Sequence, residues 1–241
     1  MLSQDDLAEL FDKKVAKLLA GEGVRSVGFE TLNRVTNLGR PWTKESGLLS
    51  IWILGMFNAS PANVAIVPYK PGKEDALGPV VRADYFGSLT SERLKILPEA
   101  ILFRADGNYR SKLGTTKRRA VDVLGSIDFK NRVLTIVKFS MPNDAAERPY
   151  MNNLWGNPLD KPYDGDVINS YNDGPNELGS QMGKFYELET LSPAAELKTG
   201  ETLSHCNRTV HIQADIKTLE LIARMVFGVE LKTVGREMGI K

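Results

Sequence analysis

A succession of short β-rich runs separated by turn signals constrains the fold of this chain more than any other feature of its sequence. The runs are rich in Val, Ile, Thr and aromatic residues, and most are followed within a few positions by Gly, Pro or Asn. They cover residues 24–37, 50–57, 63–69, 100–106, 121–129, 132–141, 165–171, 184–191 and 202–213. Many short strands with no helices between them predict a sandwich or a barrel instead of alternating βαβ units.

Helical periodicity is confined to the two ends of the chain. Residues 3–20 carry apolar side chains at helical spacing, and Ser3 is a residue type that caps helix N-termini. Residues 215–228 repeat the apolar spacing, and Gly228 can cap that helix at its C-terminus. Because both patterns are amphipathic, each predicts a surface helix that packs on the domain.

The domain organisation predicted from these patterns is simple. Two polar residues, Lys130 and Asn131, separate two β-branched runs and predict a hairpin. There is no low-complexity linker and no visible repeat. We therefore expect an all-β (mainly β) chain with an N-terminal helical segment over residues 1–23. A single β-sandwich domain over residues 24–241 would end in the C-terminal helix.

Composition excludes several classes of protein. The chain has 241 residues, with 31 Lys and Arg against 30 Asp and Glu, and 42% of its residues are hydrophobic. Balanced charge and normal apolar content argue against global disorder and against a basic nucleic-acid footprint. The single cysteine, Cys206, cannot form an intrachain disulfide. We expect no nucleic-acid partner, and the oligomeric state stays open.

The sequence also bears on membrane association and export. No apolar run approaches the roughly 20 residues that a membrane-spanning helix needs, so we expect no membrane partner. The N-terminal run begins with acidic residues and is amphipathic, whereas a secretory signal needs early positive charge and a continuous apolar core. We expect a cytoplasmic protein for the chain as given, or an exported one if residues upstream are missing.

Several familiar chemistries have no signature in this sequence. There is no phosphate-binding glycine loop, no nucleophile elbow and no Cys/His set with zinc spacing. The two histidines, His205 and His211, lie six residues apart in an extended run, where structural hydrogen bonds are the simpler interpretation. Cys206 should point to the sheet face opposite His205. We expect no metal site and no cofactor.

Residues 33–52 form a polar and aromatic stretch beside an apolar strand. The amides of Asn33 and Asn37 could bond sugar hydroxyls, and the faces of Trp42 and Trp52 could pack on sugar C–H groups. These four residues are candidate substrate-binding residues. The alternative is that both tryptophans are core residues and both asparagines are turn residues.

A basic stretch covers residues 104–119. The stretch contains six cations and one acidic residue, and a solvated basic surface is the ordinary interpretation of such a run. The functional interpretation is contact with an anion or an acidic sugar, for which Arg110 and Lys112 are the candidates. The cations are Arg104, Arg110, Lys112, Lys117, Arg118 and Arg119.

An acidic stretch covers residues 164–190, with six carboxylates and one lysine. Asn169, Asn172 and Asp173 lie at or beside a strong turn signal and are candidate substrate-binding residues. The basic and acidic stretches could face one another across a cleft.

Two glutamates near the end of the acidic stretch are the best catalytic candidates. Glu187 and Glu189 are two positions apart in a strand-like run, so both side chains point to one face. Two carboxylates on one face perturb each other's pKa, which is one way to obtain a general acid or base. The alternative is an exposed polar face of an edge strand.

Longer motifs resemble a known superfamily. The run FYELETLSPAAELKTGETLSHCNRTVHI (185–212) resembles the C-terminal end of galactose mutarotase-like proteins. An uncharacterised bacterial domain-of-unknown-function family of that superfamily is more similar still, over roughly residues 24–232. The motifs of this second resemblance are NRVTNLGRPWTKESGLLSIWILGMF, YFGSL, FRADGNYRSKLG and GDVINSYNDGP.

The resemblance implies a β-supersandwich with a carbohydrate-facing cleft. In aldose 1-epimerases of the superfamily a glutamate removes the anomeric hydroxyl proton, and Glu189 matches its position. The epimerase histidines precede that glutamate, whereas the first histidine here is His205. The chain is also short for a complete supersandwich, so we expect one that lacks N-terminal strands or is a reduced version.

Two hypotheses follow, from different classes of function. The first is a carbohydrate-binding protein without turnover. The second is an epimerase-like or other sugar-modifying enzyme, in which Glu189 is the base, Glu187 tunes it, and Tyr186, His205 or a cation of residues 110–119 supplies the acid. A third possibility is a scaffold or subunit interface, which buried Trp42 and Trp52 would favour.

Overall fold

The computed structural model describes residues 1–154 and 160–240, so Lys241, the last residue of the expected domain, lies outside the described residues. Eleven strands and five helices follow one another along the described chain. The strands are β1 (Arg25–Thr36), β2 (Trp52–Asn58), β3 (Asn63–Pro68), β4 (Leu94–Ile96), β5 (Ala100–Arg104), β6 (Ser111–Thr116), β7 (Val123–Asp128), β8 (Val133–Phe139), β9 (Asp166–Asn172), β10 (Phe185–Leu191) and β11 (Thr202–Gln213). The helices are α1 (Gln4–Leu10), α2 (Lys13–Leu19), α3 (Glu74–Leu77), α4 (Ile216–Phe227) and α5 (Leu231–Glu237).

The strands form two antiparallel sheets, neither of which closes into a barrel. The larger sheet has seven strands in the order β1-β11-β8-β7-β3-β5-β4, and the smaller has four in the order β2-β10-β9-β6. One face of the larger sheet packs on the terminal helices through residues such as Ile136 and Ile222. Its other face packs on the smaller sheet through residues such as Phe103 and Leu188. The predicted mainly β fold with terminal helices is confirmed.

The predicted N-terminal helix is interrupted. Ser3 caps α1 as expected, in a reciprocal pair with Asp6. Asp12 then accepts the backbone N–H groups of Lys14 and Val15 and so begins a second helix. The apolar spacing continues through the break because both helices bury side chains in the same cluster. The prediction of a single helix over residues 3–20 is therefore wrong, because the segment forms two consecutive helices.

The C-terminal helix and the central hairpin match their predictions. Helix α4 ends at Gly228, which adopts a left-handed backbone with φ 72°. Strands β7 and β8 pair with Asp128 opposite Val133. The Asp128 carboxylate accepts the N–H groups of Lys130 and Asn131 and so closes the turn.

Strands β4 and β6 and helices α3 and α5 have no counterpart in the predictions. Strand β6, SKLGTT, has one large apolar residue and lies within the basic stretch, yet all six of its residues are buried. Its burial comes from tertiary contacts, because β9 pairs along its whole length. Within residues 1–154 and 160–240, no helix combines the length and apolar character that crossing a bilayer requires.

Candidate functional site

The face of the four-stranded sheet that is turned away from the larger sheet, here called the outer face, collects most of the functional candidates. Side chains alternate along a strand, and residues paired across antiparallel strands share a face. Two cross-strand rows therefore lie side by side on the outer face. The first row runs Gly114, Asn169, Glu189, Leu54, and the second runs Lys112, Tyr171, Glu187, Met56.

Glu189 and Lys112 form a buried ion pair at the centre of this face. Lys112 Nζ lies 2.9 Å from Glu189 Oε2, and their side chains are 6% and 0% exposed. Trp52 Nε1 donates to the same oxygen at 2.8 Å. Glu189 Oε1 has no hydrogen-bond partner among the described residues. A buried carboxylate oxygen without a donor is costly, so this atom has the capacity to accept one further hydrogen bond.

Two aromatic rings flank the lysine of this pair. Lys112 Nζ lies 4.9 Å from the centre of the Trp52 ring and 5.4 Å from that of Tyr85. A cation near aromatic faces is stabilised by their quadrupoles, and the effect is larger away from water. The rings and Glu189 together hold the ammonium group in place.

Glu187 lies beside Glu189 on β10 and has a perturbed pKa. Burial, followed by the neighbouring charge of Glu189, raises the pKa of Glu187 to about 7. Lys112 opposes both effects. The outer face therefore carries, near neutral pH, a carboxyl that exchanges protons beside a carboxylate that Lys112 and Trp52 hold.

A second polar cluster adjoins the first through Asn169. Tyr85 donates a short hydrogen bond to Asp166, and Asn169 Nδ2 donates to the Tyr85 hydroxyl at 3.1 Å. Asn153 Nδ2 donates to Asn169 Oδ1 at 2.6 Å. These bonds fasten the segments around residues 85 and 153 over β6 and β9. The room for the cluster comes from Gly114, where an added Cβ would lie 2.0 Å from Asp166 Oδ2.

Asp166 is the buried carboxylate of the second cluster, with 1% of its side chain exposed. Burial raises its pKa to about 6, although the Tyr85 hydrogen bond and the Arg82 charge act in the opposite direction. Arg82 Nη1 lies 3.5 Å from Asp166 Oδ1, and its Nη2 lies 3.2 Å from Asp164 Oδ2. Burial also raises the pKa of Tyr85 above its usual range, so its hydroxyl stays protonated.

An exposed apolar strip borders the buried acids. Trp52, Leu54 and Met56 lie at alternate positions of β2 and are 38%, 45% and 60% exposed. Leu54 lies opposite Glu189, and Met56 lies opposite Glu187. The outer face thus combines an apolar surface with hydrogen-bonding groups beside it.

Three further predicted residues lie at one end of the four-stranded sheet. The Arg110 guanidinium packs 4.2 Å from the centre of the Phe86 ring, and Phe86 packs edge-on against Tyr171. Asp173 is buried and accepts the Tyr171 hydroxyl at 2.7 Å. Asn172 Nδ2 donates to the Tyr109 carbonyl at 2.8 Å. The contacts of Asp173 and Asn172 are structural, whereas Arg110 is exposed.

His205 lies on the other side of β10 from the proposed base. Its Nε2 is 2.9 Å from Thr190 Oγ1, in the space between the two sheets, and the histidine is 0% exposed. Thr190 follows Glu189 in the strand, so the two side chains point to opposite faces. Burial lowers the pKa of His205 to about 4. His205 lines a separate groove of about 720 Å³ and is not placed to act with Glu189.

Tyr186 also belongs to the space between the sheets. Its hydroxyl lies 2.7 Å from Ser126 Oγ. Among the cations of residues 110–119, which were also proposed as the acid, only Lys112 contacts Glu189. Arg119 is instead buried against backbone carbonyls of Lys70, Gly72 and Gly78. The basic stretch therefore does not act as one surface across from the acidic stretch.

The structure places the candidates of the 33–52 stretch in two locations. Trp52 joins the outer face. Asn33 lies on β1 and donates to backbone oxygens of Thr31 and His205. Asn37 is buried and donates to the carbonyls of Arg40 and Leu197. Trp42 is half-buried and pairs through its backbone with Leu197. The structure does not bring Asn33, Asn37 and Trp42 to the outer face.

Sequence reasoning missed Tyr85, Arg82 and the place of Asp166. Tyr85 and Arg82 lie in a segment with no strand or helix pattern, although Tyr85 opens the YFGSL motif that contributes to the family resemblance. Asp166 is one of the six carboxylates of the acidic stretch 164–190, and no local pattern singled it out. Among the described residues, no group of three or more His, Cys, Asp or Glu side chains is arranged to hold a metal ion.

The fold and the outer face define a mainly β protein with a buried ion pair beneath an exposed apolar strip. A family model described as a family of unknown function (DUF6786) matches residues 1–238, and the chain belongs to that family. No curated protein matches the chain. Among solved structures, it is similar to the Slr1438 protein from Synechocystis sp. PCC 6803, at 12% identity and a TM-score of 0.41. That match covers 78% of this chain and 51% of the Slr1438 chain.

Proposed function

We propose that the protein binds a carbohydrate on the outer face of the four-stranded sheet. The observation that carries the proposal is the position of Glu189 and Glu187 directly beside the exposed strip of Trp52, Leu54 and Met56. A pyranose presents C–H groups on one face and hydroxyls around its edge. An apolar strip next to hydrogen-bonding groups complements both.

Two further features support a polyhydroxyl ligand. Glu189 Oε1 has no partner among the described residues, and a ligand hydroxyl would supply the missing donor. Glu187 has a pKa of about 7, so near neutral pH it can donate or accept a hydrogen bond. The likeness of residues 185–212 to galactose mutarotase-like proteins also supports a sugar. The Glu189 side chain is fully buried, so a ligand reaches its carboxylate only when the side chains over it move.

A glycan array that includes neutral and acidic sugars tests the proposal. We expect wild-type protein to retain at least one sugar, and Trp52→Ala to lose it. Trp42→Ala is the matched control, because it removes the same side chain from a position outside the outer face. Binding by none of the sugars would overturn the proposal.

A sugar-modifying enzyme of mutarotase-like fold is the second candidate, favoured by the carboxyl pair. Glu189, held by Lys112 and Trp52, would be the base, and Glu187 would be the group that exchanges the proton. Exchange NMR of anomer interconversion, comparing wild type with Glu189→Gln, tests this candidate. Turnover in wild type that falls at least about 100-fold in Glu189→Gln supports it, and equal rates exclude Glu189 as the base.

A further inference from the structure

Strand β1 is a long open edge of the seven-stranded sheet. It pairs with β11 over all 12 of its residues without a register shift. Among the described residues, its other side carries one backbone hydrogen bond outside the strand, from Leu2 N–H to the Gly28 carbonyl. The opposite edge of the same sheet, β4, has only three residues. β1 contains no proline and no bulge, two of the features that keep an edge from pairing with another chain.

The backbone groups that face outward belong to the even-numbered residues of β1. The Gly28 carbonyl points outward, away from β11, and accepts the Leu2 N–H. The backbone N–H and C=O groups of Asn37 instead bond to Glu201 and Gly200 on the β11 side. In an antiparallel strand the two directions alternate residue by residue. Glu30, Leu32 and Arg34 therefore present free N–H and C=O groups to any strand that approaches.

Among the two-fold registers centred on Glu30, Leu32 or Arg34, charge complementarity selects one for a second copy of this strand. With Leu32 opposite Leu32, Glu30 of each copy lies opposite Arg34 of the other copy. The Leu32 pair and both Glu30–Arg34 pairs are then hydrogen-bonded pairs. Centring the pair on Glu30 or on Arg34 instead places like charges opposite each other, which destabilises pairing. Leu32 is 49% exposed in the single chain and becomes buried in this arrangement.

We propose that two copies of this chain associate through β1, in antiparallel pairing centred on Leu32, to form one continuous sheet. Glu30 pairs within the chain with Arg208 at 2.7 Å, so in the dimer its carboxylate lies between Arg208 and Arg34 of the second copy. The dimer is independent of the proposed ligand, because β1 belongs to the sheet that does not carry the outer face.

Light scattering coupled to size exclusion, on the full chain over a concentration series, tests this proposal. We expect a dimer in wild type. Arg34→Glu and Glu30→Arg each place like charges opposite each other twice, and each should raise the dimer dissociation constant at least about tenfold. The double variant restores opposite charges and should restore the dimer. Arg25→Glu, a charge reversal on the same strand outside the paired segment, is the matched control.

Circular dichroism of every variant separates loss of the dimer from loss of the fold. A wild-type protein that is monomeric throughout the series overturns the proposal. A dimer that Arg25→Glu weakens as much as Arg34→Glu does also overturns it, as does a double variant that stays as weak as the single ones.

Discussion

Lys112 and Glu189 join two strands that are not neighbours. Lys112 lies on β6 and Glu189 on β10, and the ammonium group reaches over β9 to within 2.9 Å of the carboxylate. Removing one member of a buried pair leaves an uncompensated charge. We expect Lys112→Met to lower the free energy of unfolding by about 3–5 kcal/mol, measured by urea denaturation.

The double variant Lys112→Met/Glu189→Gln is the control for that loss. With both charges removed, most of the stability should return, since the cost arises from the orphaned carboxylate. A double variant no more stable than Lys112→Met would show that the lysine contributes through packing and not through the ion pair.

Glu187 should make stability depend on pH. The folded protein holds the Glu187 proton up to about pH 7, whereas the unfolded chain releases it near 4.5. The contribution of this group is therefore fully present below pH 4.5 and is lost as pH rises through 7. We expect Glu187→Gln to match wild type near pH 4.5 and to exceed it in melting temperature at pH 8. A difference that is the same at both pH values would contradict the assignment.

His205 should resist protonation well into the acid range. Burial between the sheets lowers its pKa to about 4, so the folded state keeps it neutral where an unfolded chain would charge it. The stability linked to this group is present above pH 6.5 and is lost as pH falls toward 4. Because the chain has two histidines, comparing NMR titrations of the ring protons in wild type and His211→Asn assigns the signal of His205. A midpoint near 6.5 for His205 would be inconsistent with the buried position.

Gly114 should not tolerate a methyl group. A Cβ at this position would lie 2.8 Å from Asn169 Nδ2 and closer still to the Asp166 carboxylate. We expect Gly114→Ala to destabilise the protein by about 1–3 kcal/mol. Gly39→Ala is the control, because its added Cβ meets only Asn37 Oδ1 at 3.7 Å. Equal melting temperatures for the two variants would contradict the packing described for this cluster.

The sequence was informative where a signal is local. The two-residue spacing of Glu187 and Glu189 predicted that they share a face, and β10 has that alternation. The hairpin at residues 129–132 and the cap at Gly228 depend on neighbouring residues alone, and both were predicted. Helix α4 was predicted for the same reason, since its apolar period lies within one element.

The rest depends on strand order, which no local pattern encodes. Strand β6 has only one large apolar residue, so its sequence predicts a loop. Its polar side chains are nevertheless buried, by the sheet and by the segment around Tyr85. The partnership of Lys112 with Glu189 requires β6, β9 and β10 to lie in that order. His205 is one of the acids that the sequence analysis offers as a complement to Glu189, but the two side chains lie on opposite sides of β10.

Calorimetric titration of the best sugar from the array into three proteins tests whether the outer face is a carbohydrate site. We expect wild type and Trp42→Ala to bind with equal affinity, and Trp52→Ala to bind at least about tenfold more weakly because the sugar loses its aromatic contact. Equal affinity in all three proteins would contradict a carbohydrate site on the outer face.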